Sequence, residues 1–220
     1  MEFEGAPLPT AAELPLALVE GDRPRLVRAA VVHAFFAGQV ITACIAMLDD
    51  PRPSGRGTAL QVGHALQARA MADAVAAKIL SDSKDFYGVP DPVGRHGSLA
   101  AAAVAFLAEV PSPGHAQARL ALRHALAHPE LAPLAWKVVV EPDATLPHLA
   151  TLLTTRPDLA AEAGTRFALL ATDRCEEAAT AVARLPEATR RAFAAALEKH
   201  LLRIHAVKRW VHCRRILLGQ

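Results

Sequence analysis

The sequence predicts an all-α fold: a long N-terminal helical hairpin followed by a short α-solenoid of paired helices. Three observations carry this expectation. Alanine and leucine dominate the 220 residues, aromatics make up only 5%, and β-branched residues rarely alternate in period two. Alanine and leucine are the residues that cost least in a helix. Three near-copies of a helix-start signal follow in the second half, Pro129-Glu130, Pro157-Asp158 and Pro186-Glu187, with prolines 28 and then 29 residues apart. Proline suits the first helical turn because its missing N–H would be unpaired there anyway, and the acid meets the positive end of the helix dipole. Asp143 and Asp173 stand thirty residues apart at expected N-caps. Aligned on them, residues 138–140 fall over 168–170 and Leu152 falls over Val182.

The elements follow in order. Residues 1–22 form a proline-rich lead and one short helix near 10–20, where Thr10 and Glu13 have the spacing of a capping box. A long helix is expected over 24–48. The link 49–57 carries two prolines and two glycines and interrupts it. A second long helix, over 58–80, returns antiparallel to close the hairpin. Residues 81–98 are the longest irregular stretch, and the boundary between an N-terminal region, 1–97, and a repeat region, 98–220, is expected there. Beyond it, short helices alternate with proline turns over about 98–110, 114–127, 130–140, 143–155, 158–171, 173–185 and 187–217.

On the Pro-acid starts, on Asp143 and Asp173, and on the apolar spacing, residues 98–200 resemble the HEAT-like α-helical repeats common in bacterial proteins. They depart from that family in a short period, and in Leu149 and Ala179 standing about where an arginine is typical. The resemblance implies a curved stack with a binding face and no particular activity.

Charge is unevenly divided. The first 110 residues carry 9 Lys and Arg against 12 Asp and Glu, and the remaining 110 carry 15 against 10. Residues 29–48 hold no charged side chain, a length able to cross a bilayer. His33, Gly38, Gln39 and Thr42, and the many alanines, point instead to a helix buried on all sides, so a membrane span is not expected. Met1 to Thr10 is acidic and proline-bearing rather than basic then apolar, so a secretory signal is not expected. Three widely spaced cysteines, Cys44, Cys175 and Cys213, suggest reduced thiols and a cytoplasmic setting.

Candidate functional residues fall into two groups. In the tail, Lys199, Arg203, Lys208, Arg209, Arg214 and Arg215 flank an apolar stripe of Phe193, Leu197, Leu201, Ile204, Val207, Val211 and Leu218, with Trp210 beside them. Such a helix either caps a helical stack or meets an anionic partner. In the first half, His33 and His64 are placed to meet inside the hairpin, and the long loop offers Asp85, Tyr87, Asp91, Arg95 and His96 beside Gly94 and Gly97. These could make a small-ligand or acid–base site. His124 and His128 have zinc-pair spacing without the glutamate of HExxH, and read as histidines at a helix C-terminus. No metal, cofactor or catalytic residue is expected.

The chain is thus expected to be a non-enzymatic interaction module, an adaptor or scaffold for a protein or peptide partner, gripping it in a groove lined by 143–155 and 173–185. Binding of nucleic acid or an anionic surface through the tail, and a ligand or enzymatic site in the hairpin or loop, are the alternatives.

Overall fold

The structure, a computed structural model, describes residues 1–94, 96–112 and 114–219. Among these, the regular elements are helices apart from one tiny hairpin, so the chain is all-α. It divides into two compact units, Met1–Ala125 and Leu126–Gln220. The division expected after residue 97 falls inside the first unit.

The first unit opens with β1 (Glu2–Phe3) antiparallel to β2 (Ala6–Pro7). Glu4 and Gly5, at φ 53° and 73°, form the two-residue left-handed turn that so tight a hairpin requires. Arg25 Nη2 donates to the Phe3 and Ala6 carbonyls at 2.7 and 2.5 Å and fastens the hairpin down. Seven helices follow: α1 (Leu14–Glu20), α2 (Arg23–Val32), α3 (Ala34–Met47), α4 (Pro53–Ala65), α5 (Ala72–Leu80), α6 (Leu99–Glu109) and α7 (Ala116–Ala125). The Glu13 carboxylate accepts from the backbone N–H and hydroxyl of Thr10, at 2.8 Å each, so the capping-box contact forms just ahead of α1.

Neither long helix of the expected hairpin is continuous. The first breaks at His33, which is extended at φ −115° and ψ 100°. No proline or glycine marks that break. Two consecutive β-branched residues, Val31 and Val32, weaken the helix there, and the His33 ring stands edge-on to Phe3, 6.0 Å away. The second starts early, at Pro53, since proline is welcome in a first turn and the glycines after it are helical. It then breaks at Gln67.

That break has a device behind it that recurs. Gln67, at φ 50°, lets Ala68 N–H reach back to the Gly63 carbonyl at 2.9 Å, the six-to-one bond of a helix C-cap. Asp82 (φ 47°) does the same after α5, with Ser83 N–H on the Lys78 carbonyl at 3.2 Å. Glycine is the usual residue at this position, so glutamine and aspartate give the sequence no stop signal there.

The uncharged residues 29–48 are shared between α2 and α3, and no helix among the described residues is long and apolar enough to cross a membrane. Nor is α3 enclosed on all sides. It turns Phe36, Val40, Cys44 and Met47 inward and leaves Phe35 72% exposed. The enclosed helix is α6, Leu-Ala-Ala-Ala-Ala-Val-Ala-Phe-Leu-Ala-Glu, against which α4, α5 and α7 pack. Its alanines let three neighbours approach closely, and Leu99, Ala100 and Ala102–Leu107 are buried, leaving only Glu109, in its last turn, exposed.

The second unit holds α8 (Ala132–Trp136), α9 (Pro142–Thr145), α10 (Leu149–Thr155), α11 (Ala160–Leu170), α12 (Cys175–Val182), α13 (Glu187–Arg203) and α14 (Val207–Leu218). Each Pro-acid pair lies at or just before a helix start: Pro129-Glu130 in the turn before α8, Pro157-Asp158 in a 3-10 turn leading to α11, and Pro186 as the N-cap of α13. Asp143 and Asp173 sit two positions further in than expected, inside first turns rather than at caps. The helix expected over 187–217 breaks at His205 (φ 59°), where Ala206 N–H closes on the Leu201 carbonyl at 2.8 Å by the device used at Gln67.

Close approach and arginine clamps hold this unit. A β-carbon on Gly164 of α11 would lie 2.6 Å from the Phe193 carbonyl of α13, so only glycine allows the two helices to pack at this distance. Arg166 lies over the Trp136 ring, 4.0 Å from its centroid, and Nη1 donates to the carbonyls of Trp136 at 2.6 Å and Val139 at 3.0 Å. Those carbonyls belong to the end of α8 and the turn beyond it, where oxygens otherwise lack a partner. Arg190 does likewise for the Leu217 carbonyl at 2.6 Å, and Arg209 for Thr172 at 2.5 Å. Arg174, next to Asp173, reaches back thirty-one residues to Asp143 at 2.7 Å and also holds Glu177.

Candidate functional site

The long segment 81–98 is pinned down. Phe86 is fully buried, and its carbonyl accepts from Ala100 N–H at 3.2 Å while that of Val89 accepts from Leu99 N–H at 2.9 Å. The Tyr87 hydroxyl donates to the Ile79 carbonyl at 3.2 Å. These bonds fasten the segment to the ends of α5 and α6. Its middle, with Asp91, is laid over α4.

What lies beneath is a cleft of about 420 Å³, within the size range of small-molecule sites. One wall is the α4 face Gly57, Leu60, Gln61, His64 and Ala65, in i, i+3, i+4, i+7, i+8 spacing. The opposite wall is the α6 face Ala102, Ala105 and Glu109, and the segment contributes Asp91, Gly94 and His96. Leu60 and the alanines make an apolar floor. At the rim His64 Nε2 meets Glu109 Oε2 at 2.8 Å, tying the ends of α4 and α6 together. Gln61 receives the guanidinium of Arg23, which also donates to the Leu18 carbonyl at 3.0 Å.

Two glycines set the position of Asp91. A β-carbon on Gly57 would lie 2.7 Å from Asp91 Oδ1 and 2.6 Å from the Val93 side chain. A β-carbon on Gly94 would overlap Asp91 Oδ2. Asp91 Oδ1 accepts from Gly94 N–H at 2.9 Å and Val93 N–H at 3.3 Å, a tight local turn. Among the described residues no hydrogen bond reaches Oδ2.

Of the residues singled out in the first half, the cleft therefore gathers His64, Asp91 and His96. His33 is elsewhere, against Phe3, so it does not join His64. Asp85 is exposed and Tyr87 is spent on Ile79. Arg95 lies outside the described residues. His124 Nε2 faces Asp82 at 2.8 Å. Nothing local in the sequence marks Glu109, because its partnership with His64 spans forty-five residues and leaves no short-range pattern.

In the tail the structure redistributes the candidate residues. Trp210, Cys213 and Leu217 form the inward face of α14, so Trp210 is 5% exposed and packs in the core instead of awaiting a partner. Arg209 is half-buried on the Thr172 carbonyl and near Glu176. Lys199, Arg203, Lys208, Arg214 and Arg215 remain exposed. The apolar stripe splits where the helix breaks: Phe193, Leu197 and Leu201 are buried, while Ile204, Val207 and Val211 are about half exposed. On α14, Val207 and Val211 are one turn apart, with Lys208 and Arg215 beside them on the outward side.

Thiol chemistry has no place in either region. Burial pushes the Cys44 and Cys175 thiols up to about 12 and Cys213 up to about 11, so none forms an appreciable thiolate at neutral pH. The chain matches no protein-family model, no curated protein and no solved structure.

Proposed function

We propose that this chain is a non-enzymatic helical interaction module and that α14 carries the surface its partner reads. The observation that carries this reading is the pair of half-exposed valines, Val207 and Val211, set among Lys208, Arg215 and the neighbouring Arg214. Exposed aliphatics ringed by cations suit an acidic amphipathic segment of another protein: the valines supply desolvated contact, the cations orientation and rate of encounter. The support lies with α14 rather than with a groove over 143–155 and 173–185. There Leu149, Leu152, Leu153, Ala178, Ala179 and Val182 are buried in their own unit.

The test is capture of partners from native lysate by the full chain, in parallel with Val211→Glu and with Lys208→Glu/Arg215→Glu. One stoichiometric protein lost in both variants is expected. An empty capture, or one indifferent to both variants, removes the proposal.

A second reading keeps the cations and drops the valines: nucleic acid or an anionic surface bound through Lys199, Arg203, Lys208, Arg214 and Arg215. Five exposed cations within one helix pair favour it. Affinity for duplex, single strand and anionic vesicles across a salt series separates the two. A steep salt dependence abolished by alanine at Lys208, Arg214 and Arg215, but untouched by Val211→Ser, belongs to this reading. Arg209 is left alone because it holds the Thr172 carbonyl.

A further inference from the structure

Independently of α14, we propose that the cleft between α4, α6 and the 81–98 segment is a binding site for a small organic cation, an ammonium or guanidinium group on a short aliphatic chain. Asp91 Oδ2 and Glu109 are the acceptors. The floor of Leu60, Ala65, Ala102 and Ala105 takes the chain.

The argument starts from Asp91. Its Oδ1 is committed to the turn N–H groups, whereas Oδ2 has no hydrogen bond among the described residues, and the residue is one of those that line the cleft. A surface aspartate needs no glycine to hold it, yet both Gly57 and Gly94 are positions where a β-carbon would displace this carboxylate. The backbone is shaped around the position of Asp91. Across the cleft Glu109 meets His64 through Oε2, leaving Oε1 as a second acceptor.

The other groups at the cleft agree with a cation. His64 already faces a carboxylate. Arg23, which reaches Gln61 of the α4 wall, is occupied by that amide and by the Leu18 carbonyl. Gln61 and His96 add polar contacts at the edges. The two carboxylates do not converge with the histidines closely enough to cage a metal: no group of three potential ligand atoms comes together here among the described residues. An organic cation needs no such convergence, because its charge is spread over several N–H donors that separate acceptors satisfy. An apolar floor of one leucine and three alanines, with no aromatic side chain to stack on, favours a slim aliphatic body over an aromatic one.

Amide NMR of the full chain, titrated with n-butylammonium, n-butylguanidinium, n-butanol and pentanoate, tests this. The two cations are expected to shift the amides of Gly57, Gln61, Gly94 and Glu109 with a dissociation constant on the order of 1 mM, weak because the probes are so small. The alcohol and the carboxylate are expected to shift them far less. Asp91→Asn keeps the Oδ1 acceptor of the turn and removes only the charge, so it is expected to weaken the cations about tenfold with an otherwise unchanged spectrum. Glu109→Gln is expected to weaken them less. Equal response to butanol, preference for pentanoate, no response to any probe, or cation binding indifferent to Asp91→Asn overturns the proposal. None of these results bears on α14, which is not part of the first unit.

Discussion

The two units put their close-packed glycines and their arginines to different uses. In the first, glycines let side chains come close to the backbone. Gly57 and Gly94 admit Asp91, and Gly63 admits the Met71 sulfur. Close approach around a central alanine-rich helix leaves a hollow where the segment 81–98 crosses over. In the second, Gly164 brings the backbones of α11 and α13 together, and arginines reach across to bare carbonyls: Arg166 to Trp136 and Val139, Arg190 to Leu217, Arg209 to Thr172. Clamps of that kind tie helix ends together from the side, and they leave Val207 and Val211 of α14 facing outward. A hollow suits a small ligand and an outward face suits a macromolecule. The contrast therefore separates two kinds of binding by how each unit is held together.

The contrast can be broken first at Phe86, the fully buried anchor of the crossing segment. Phe86→Ala is expected to cost about 3–5 kcal/mol of stability in urea unfolding. It should also expose residues 87–98 to limited proteolysis well before the second unit is cut. Equal protection of this segment in the variant would mean that the hydrogen bonds of Phe86 and Val89 alone hold it.

Next comes the clamp. Arg166→Met preserves bulk beside Trp136 but leaves two carbonyls without their donor, which is expected to cost about 2–3 kcal/mol. The loss should appear in hydrogen exchange of the second unit and leave cation binding in the first unchanged. A change under about 0.5 kcal/mol would show that water replaces the guanidinium.

The smallest effect has the opposite sign. Gln67 and His205 hold positive φ at helix ends with no glycine to ease it. Gln67→Gly and His205→Gly are each expected to stabilise by up to about 1 kcal/mol, since a side chain in this conformation carries strain that glycine lacks. The gain is read as a shift of the unfolding midpoint at constant slope. Destabilisation by both would mean that their side chains, as in the Gln67 bond to the His64 carbonyl at 3.1 Å, outweigh the strain.

Most helix starts are legible in this sequence, and the breaks at His33, Gln67 and His205 are not. The all-α class follows from composition, because alanine and leucine favour helix wherever they are. The Pro-acid starts are legible as well, because proline at a first turn acts through local geometry that no tertiary contact need supply. His33, Gln67 and His205, by contrast, end helices without proline or glycine, the last two through bonds that close only when the chain has turned. Without those stops, the expected helices join α2 to α3 and α13 to α14. The second join sets Val207 and Val211 on one stripe with Phe193 and Leu197, and leaves Trp210 outside the core.

The sequence alone determined that helices form, about where most of them begin, that positive charge gathers at the C-terminal end, and that His64, Asp91 and His96 are chemically able to line a site. These depend on short-range preference and on residue type. Only the tertiary structure decided which of the candidates meet. It paired His64 with Glu109 across forty-five residues, set His33 apart against Phe3, and bound Arg174 to Asp143. It also chose which face of α14 is buried. Contacts between distant residues depend on how helices cross and on where the chain turns. A helix periodicity ranks its own faces, but which face meets a neighbour is settled only by that neighbour's shape.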